Sequence, residues 1–92
     1  MKELDKLEQY LKEHEYCYIR EDDDSNYMNR HQIIVFDSEA QREWDAICHR
    51  GSYGYEQGLL EIMGTIVNND CGDSVEGYLT ADDIIKRLEA LK

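Results

Sequence analysis

Cysteine and histidine are the side chains of this sequence best suited to nucleophilic and acid–base chemistry. Cys48 and His49 are adjacent, and adjacent side chains of a β-strand point to opposite faces, so these two cannot pair directly as nucleophile and base. His31 stands in another apolar segment and could reach Cys48 across a sheet. A small enzyme that uses Cys48, His49 or His31 is therefore one alternative, although no sequence typical of an oxyanion loop accompanies these residues.

The spacing of ligand-type residues does not match a metal site. The three cysteines contain no C-x-x-C pair, which is a usual spacing for zinc ligands. The segment Asp22–Asn26 matches the first half of a calcium loop, but Tyr27 and Ile33 occupy the positions that need a glycine and a bidentate glutamate. We therefore predict no metal ion, no cofactor and no catalytic residue.

Acidic residues dominate the charge of the chain. Its 92 residues include 21 Asp and Glu against 10 Lys and Arg, for a formal net charge of -11. No Lys or Arg occurs between Arg50 and Lys86, and that stretch contains the acids Glu56, Glu61, Asp70, Asp73, Glu76, Asp82 and Asp83. Nucleic-acid phosphates and anionic membranes repel such a chain. The acids either form a solvated surface that keeps the domain soluble or form a negative face that meets a basic protein surface.

The segment Trp44–Gly64 is dense in Trp, Tyr, His, Cys and Gly residues. It is either a tightly packed corner with buried aromatics or a recognition surface, because tyrosine is enriched at the energetic centres of protein interfaces. We predict that the partner-binding residues lie in this corner and in the acidic stretch that follows it, and that they are Tyr53, Tyr55, Glu56, Glu61, Asp70, Asp73 and Glu76.

The first half of the chain predicts one helix and three strands. Residues 2–14 carry leucines at helical spacing, whereas segments 16–20, 31–36 and 42–49 are rich in strand-forming residues. The connections between these strands are short, which favours an antiparallel meander.

The second half of the chain predicts two further helices. An apolar stripe recurs at helical spacing over residues 59–66, residues 75–79 read as a short extended segment, and Thr80 is a good N-cap for a last helix. The predicted fold class is α+β with the order αβββαα, one domain over residues 1–92 whose helices pack on a three-stranded antiparallel sheet. The expected buried residues are Leu7, Leu11, Ile19, Ile34, Trp44, Leu59, Ile62, Met63, Ile66, Ile84, Ile85 and Leu88.

The run Trp44–Gly64, followed by Gly72–Ile85, resembles a group of short proteins encoded by phages and prophages of Gram-positive bacteria. The resemblance covers roughly the C-terminal half, carries over no catalytic residue, and implies a phage-type accessory protein in a bacterial cytoplasm. The order αβββαα and the acidity are also similar to one class of small anti-CRISPR proteins that block the DNA channel of an effector nuclease. No signal-peptide pattern opens the chain and its longest apolar run is Ile33–Phe36, so we expect a cytoplasmic protein without a membrane span.

These features favour a non-enzymatic acidic protein-binding module. In this hypothesis it is a phage-derived inhibitor or modulator that engages a basic host protein, by mimicry of DNA where that protein handles nucleic acid. We expect no direct contact with nucleic acid or membrane. A homo-oligomeric structural accessory protein is a further alternative, and it would show an exposed apolar patch related by symmetry, as in a homodimer.

Overall fold

The computed structural model of the chain describes residues 2–23, 30–49, 51–52, 54–67 and 75–91. Two α-helices and five strands occur in these ranges, in the order αβββββα. They are α1 (Lys2–Glu13), β1 (Cys17–Asp23), β2 (Arg30–Phe36), β3 (Arg42–Cys48), β4 (Leu60–Gly64), β5 (Val75–Leu79) and α2 (Ala81–Ala90), with a 3-10 turn at Tyr55–Gln57 before β4.

The five strands form one antiparallel sheet in which each strand pairs with the next along the chain. Both helices pack on the same face, α1 against β2 and α2 against β5, and they contact each other. A single apolar core lies between them and the sheet, and its largest fully buried side chains are Leu4, Leu7, Leu11, Ile33, Val35, Cys48, Leu60, Ile62 and Ile84. The opposite face carries no helix within the described ranges, and we call it the helix-free face.

Helix α1 is held to the edge strand β1 by charged contacts as well as by its buried leucines. Arg20 of β1 places Nη1 2.7 Å from Asp5 Oδ1 and 3.0 Å from Glu8 Oε1. The hydroxyl of Tyr18 donates to Glu8 Oε2 at 3.0 Å. These contacts lower the pKa of Asp5, because the Arg20 guanidinium stabilises its charged form.

Helix α2 begins with the cap that the sequence predicts. The Thr80 hydroxyl accepts from the backbone N–H of Asp83 at 3.1 Å, and the Asp83 carboxylate accepts from the Thr80 N–H at 2.9 Å, which forms a capping box. The next N–H, of Ala81, donates to Glu3 Oε1 of α1 at 2.6 Å. The same junction carries the exposed ion pair Lys6–Asp82. The start of α2 is therefore tied to α1.

The predicted three-stranded sheet and the predicted order αβββαα are wrong. Residues 60–64, expected in a helix, form β4 against β3, with Ile62 opposite Ala46, and the extended segment 75–79 is a fifth strand. The apolar stripe predicted a helix, but Leu60 and Ile62 are two residues apart and also fit a strand with one buried face. Pairing with β4 satisfies backbone groups of β3 that a helix would have left open. The likeness to anti-CRISPR proteins rested on the order αβββαα and on the acidity, and it loses the first of these two bases.

Gly64 ends β4 in a conformation that belongs to the strand and not to the expected helix. Its φ is +116°, which is incompatible with a right-handed helix. A Cβ at this position would overlap the Glu43 carbonyl oxygen and Trp44 Cα of the neighbouring strand. The glycine thus allows close approach of β4 to β3 at the end of their pairing.

The burial of the strand residues corrects the predicted core. Ile33 rather than Ile34 faces the helices, and Ile19 and Met63 are exposed on the other side of the sheet. Of the expected core, the fully or mostly buried residues are Leu7, Leu11, Trp44, Ile62, Ile66, Ile84 and Leu88, whereas Ile34, Leu59 and Ile85 are only partly buried. The sequence established the alternation of side chains along β2 but not which alternate set faces inward.

Candidate functional site

The chain turns sharply after β3, and serine and glycine build that turn. The Ser52 hydroxyl donates to the His49 carbonyl at 2.8 Å and accepts from the His49 N–H at 3.1 Å, which closes the turn on itself. Gly51, Gly54 and Gly58 all adopt positive φ, at 97°, 93° and 72°. Such angles are strained for other residues, so the path of the backbone here depends on glycine.

This turn forms one wall of a half-open depression of about 650 Å³, which we call the corner pocket. It is lined by Gly51, Ser52, Gly54, Tyr55, Glu56, Gln57 and Tyr78. A Cβ on Gly54 would lie 2.9 Å from Leu59 Cβ and 3.1 Å from Tyr78 Cα. The glycine therefore lets the turn lie directly against β5, and this contact brings Tyr78 into the pocket wall.

Tyr78 is the most unusual residue of the corner pocket. Its φ is +58°, a left-handed conformation that is rare for a bulky residue. Its side chain is nevertheless 59% exposed, so burial of the ring does not compensate this backbone strain. Residues held in strained conformations cluster at functional sites. The strain at an exposed aromatic residue in a pocket wall marks the corner pocket as the candidate site.

The chemistry of the corner pocket suits a cationic ligand. Tyr55 and Tyr78 contribute aromatic rings, whose faces attract a cation. Glu56 is exposed and contributes a carboxylate. Among the described residues of the lining there is no Lys or Arg. A guanidinium or ammonium group would find an aromatic surface and a counter-charge in the same depression.

The structure brings together two of the predicted partner-binding residues and adds one that the sequence did not indicate. Tyr55 and Glu56 both line the corner pocket, and Tyr78 joins them from β5. Tyr53, Asp70 and Asp73 lie outside the described residues. The sequence signal for Tyr78 is weak, because its role depends on a backbone angle and on a strand pairing that the apolar pattern did not reveal.

The two remaining predicted residues lie elsewhere and are engaged within the fold. Glu76 and Arg87 form a bidentate ion pair at 2.5 Å and 2.8 Å, and Arg87 also donates to the Ile66 carbonyl at 3.1 Å. Glu61 lies on β4 and is only 9% exposed. Glu76 thus joins β5 to α2, and its charge is balanced by a guanidinium.

His31 and Cys48 form a row with Asp22 on the helix-bearing face. In the sheet, His31 of β2 lies opposite Asp22 of β1 on one side and Cys48 of β3 on the other. His31 Nδ1 is 2.7 Å from Asp22 Oδ1. This hydrogen bond, together with Arg20, lowers the pKa of Asp22. Cys48 is fully buried, and burial raises the pKa of its thiol, which disfavours the thiolate that nucleophilic attack needs. The enzymatic alternative stays a prediction, and the row gives it little support.

Within the described ranges, no three His, Cys, Asp or Glu side chains are grouped so that they could hold a metal ion. No described helix is long and apolar enough to cross a membrane. Comparison of the chain with protein-family models, with curated proteins and with solved structures finds no match.

Proposed function

We propose that the protein is a binding module for a basic segment of another protein, and that the corner pocket receives a Lys or Arg side chain of that segment. The main support is that Tyr78, which is exposed and has a left-handed backbone conformation, lies in one depression with Tyr55 and Glu56. The net charge of -11 supports the proposal, because a strongly acidic chain attracts a basic partner before contact and accelerates association.

The expected strength of the pocket is modest. A cation over an aromatic face contributes about 0.5–1 kcal/mol at an exposed site, and an exposed ion pair contributes about 0.2–1 kcal/mol. Two rings and one carboxylate therefore supply roughly 1–3 kcal/mol, which is about a fivefold to 150-fold effect on affinity. The pocket is an anchor that selects a cationic side chain, and a stable complex needs further contacts around it.

The resemblance to phage proteins extends the proposal to a biological setting. In that setting the module is a phage-derived inhibitor or modulator in a bacterial cytoplasm, and its basic partner is a host protein that handles nucleic acid. An aromatic anchor has better support than mimicry of DNA. Mimicry needs a row of free carboxylates, whereas Glu76 is paired with Arg87 and Glu61 is nearly buried.

The test uses two small probes that differ in charge and hardly in shape. N-acetyl-arginine amide carries the guanidinium, and N-acetyl-citrulline amide replaces it with a neutral urea of the same geometry. We expect the arginine probe to bind at least fivefold more tightly in a fluorescence or NMR titration, and the difference to shrink as salt rises.

Variants then locate the binding. Glu56→Gln should weaken the arginine probe about 1.4-fold to fivefold, and Tyr78→Ala about twofold to fivefold. Glu39→Gln is the matched control, since Glu39 is an exposed acid before β3 and lies roughly 20 Å away along that strand. If Glu39→Gln weakens the probe as much as Glu56→Gln does, the effect is one of net charge, and the corner pocket is not the site.

A further inference from the structure

The helix-free face of the sheet carries apolar side chains at positions where a solvent-facing surface is usually polar. An antiparallel sheet covered on one side usually alternates apolar residues toward the core with polar residues toward water. Strand alternation instead places six apolar side chains on the uncovered side. They are Ile19, Ile34, Phe36, Ile47, Met63 and Val75, and each is partly or well exposed. This composition is typical of a surface that another molecule covers.

Four residues of this face form one row across four strands. The register aligns Ile19 with Ile34, Ile34 with Asp45, and Asp45 with Met63. Ile19 is 47% exposed and Met63 is 44% exposed, and they stand at the two ends of the row. Three strand spacings separate them, which is about 14 Å.

Four polar residues of this face, Arg30, Gln32, Arg42 and Asp45, are already paired with one another. Asp45 is only 5% exposed and accepts from Gln32 Nε2 at 2.7 Å and from Arg42 Nη2 at 2.5 Å. Gln32 Oε1 in turn accepts from Arg30 Nη2 at 2.5 Å. Covering a polar group costs most when its hydrogen bonds with water are lost and not replaced. These bonds do not depend on water, so a partner can cover the centre of the face at little desolvation cost.

A second depression opens where the face meets the ends of β1 and β2. It encloses about 390 Å³, is mostly apolar, and is lined by Tyr16, Cys17, Tyr18, Phe36, Asp37, Ser38 and Ala40. Cys17 and Phe36 are opposite each other in the sheet, next to the pair Ile19–Ile34. The apolar surface therefore continues from the row into a cleft that can take one large apolar side chain.

We propose that the helix-free face docks an amphipathic helix of a partner protein, with an apolar stripe flanked by Lys and Arg. Charge selects this occupant over a second copy. Strand alternation places the carboxylates of Glu21, Asp23, Glu43 and Glu61 on this face, while its arginines, Arg30 and Arg42, are engaged with Gln32 and Asp45. Two copies would repel each other, because each chain has a net charge of -11. A basic helix would instead neutralise the carboxylates of the helix-free face.

The dimensions fit a helix of ordinary length. The 14 Å row corresponds to about nine residues at 1.5 Å rise per residue. Helices are also the elements that cover this sheet on its other face, and a sheet between two layers of helices is a common arrangement. The docked helix would contact Ile19 and Met63 at the ends of the row and place one side chain in the apolar cleft.

The experiment uses an 18-residue peptide of Leu and Lys with its leucines on one helical face. The control is a peptide of the same composition with the leucines scattered around the helix, which keeps charge and removes the stripe. Titrations at 0.3 M salt, followed by NMR signals of Ile19, Ile34 and Met63, measure affinity while electrostatic attraction is screened. We expect the striped peptide to bind at least tenfold more tightly than the scattered one.

Two sets of variants assign the binding to the face. The double variant Ile19→Thr/Met63→Thr changes exposed positions and should weaken the striped peptide at least tenfold while the fold survives. Leu91→Gln removes a side chain that is 67% exposed at the end of α2, and it should change the affinity less than twofold. Equal losses in the two variants, or equal binding of the two peptides, would overturn the proposal.

Two further outcomes separate this proposal from a homodimer and from binding at the corner pocket. A dimer in sedimentation that the double variant dissolves would show that a second copy covers the face, and it would contradict the helix as occupant. Glu56→Gln should leave the striped peptide unaffected, and Ile19→Thr/Met63→Thr should leave the arginine probe unaffected. The corner pocket and the helix-free face can thus fail independently.

Discussion

Replacing Arg87 tests whether Glu76 serves the fold rather than a partner. In Arg87→Met the apolar stem is kept, but the Glu76 carboxylate loses both hydrogen bonds and the Ile66 carbonyl loses one. Breaking a fully buried pair costs about 3–5 kcal/mol. Here the Arg87 and Glu76 side chains remain 27% and 17% exposed, which reduces the expected loss of unfolding free energy to about 2–3 kcal/mol.

Urea unfolding and thermal melts measure this loss. For a chain of this size, 2–3 kcal/mol corresponds to a fall in Tm of roughly 10–20 °C. Lys6→Met is the matched control, because it breaks the Lys6–Asp82 pair, whose members are more than half exposed, and its loss of stability should be several times smaller. In a double-mutant cycle, Glu76→Gln and Arg87→Met should show a coupling of at least about 1 kcal/mol. A loss for Arg87→Met no larger than that of the control would refute the reasoning.

Three other features of the fold, at Gly64, at the cysteines and at Asp22, give further predictions. Gly64→Ala should destabilise the fold by several times more than Gly51→Ala in chemical unfolding, because a Cβ meets the backbone of β3 at Gly64 and nothing at Gly51; equal effects would contradict the β3–β4 pairing. A mild thiol reagent, with labelled peptides identified by mass spectrometry, should modify the exposed Cys17 before the buried Cys48, and the reverse order would contradict the burial. The hydrogen bond with His31 lowers the pKa of Asp22 in the fold below its ordinary value of 3.8. The stability that the Asp22 carboxylate contributes is therefore complete above the unfolded pKa and is lost as pH falls through the folded pKa. Asp22→Asn should lose less unfolding free energy than the unchanged protein between pH 5 and pH 2, and parallel losses would contradict the Asp22–His31 pairing.

The sequence predicted correctly the elements that are determined by residues close to one another in the chain. The leucine spacing of α1 and the Thr80 cap of α2 depend on residues within one or two turns, and both predictions are confirmed. The three N-terminal strands are also confirmed. The segment 59–66 failed because its apolar residues fit two periods, and pairing with β3 decided between them. That pairing lies between residues far apart in the sequence, and local periodicity does not reveal it.

The candidate site shows the same division between local and tertiary information. Tyr55 and Glu56 could be predicted because the density of glycine and tyrosine in their segment indicates an irregular, aromatic surface. Tyr78 could not, since it reaches the corner pocket through a strained residue of a strand that was not placed in the sheet. Glu76 was predicted to bind a partner because its neighbours in the sequence are acidic. Its neighbour in space is Arg87, which belongs to another element.

The most direct test of the central proposal is to map the arginine probe onto the protein by backbone NMR. If the corner pocket receives a cationic side chain, N-acetyl-arginine amide should shift the amide signals of Gly54, Tyr55 and Tyr78 most strongly. The citrulline probe at the same concentration should shift them at most a third as much. Shifts of the arginine probe that are spread evenly over the acidic surface, or that are matched by the citrulline probe at the pocket, would contradict the proposed function.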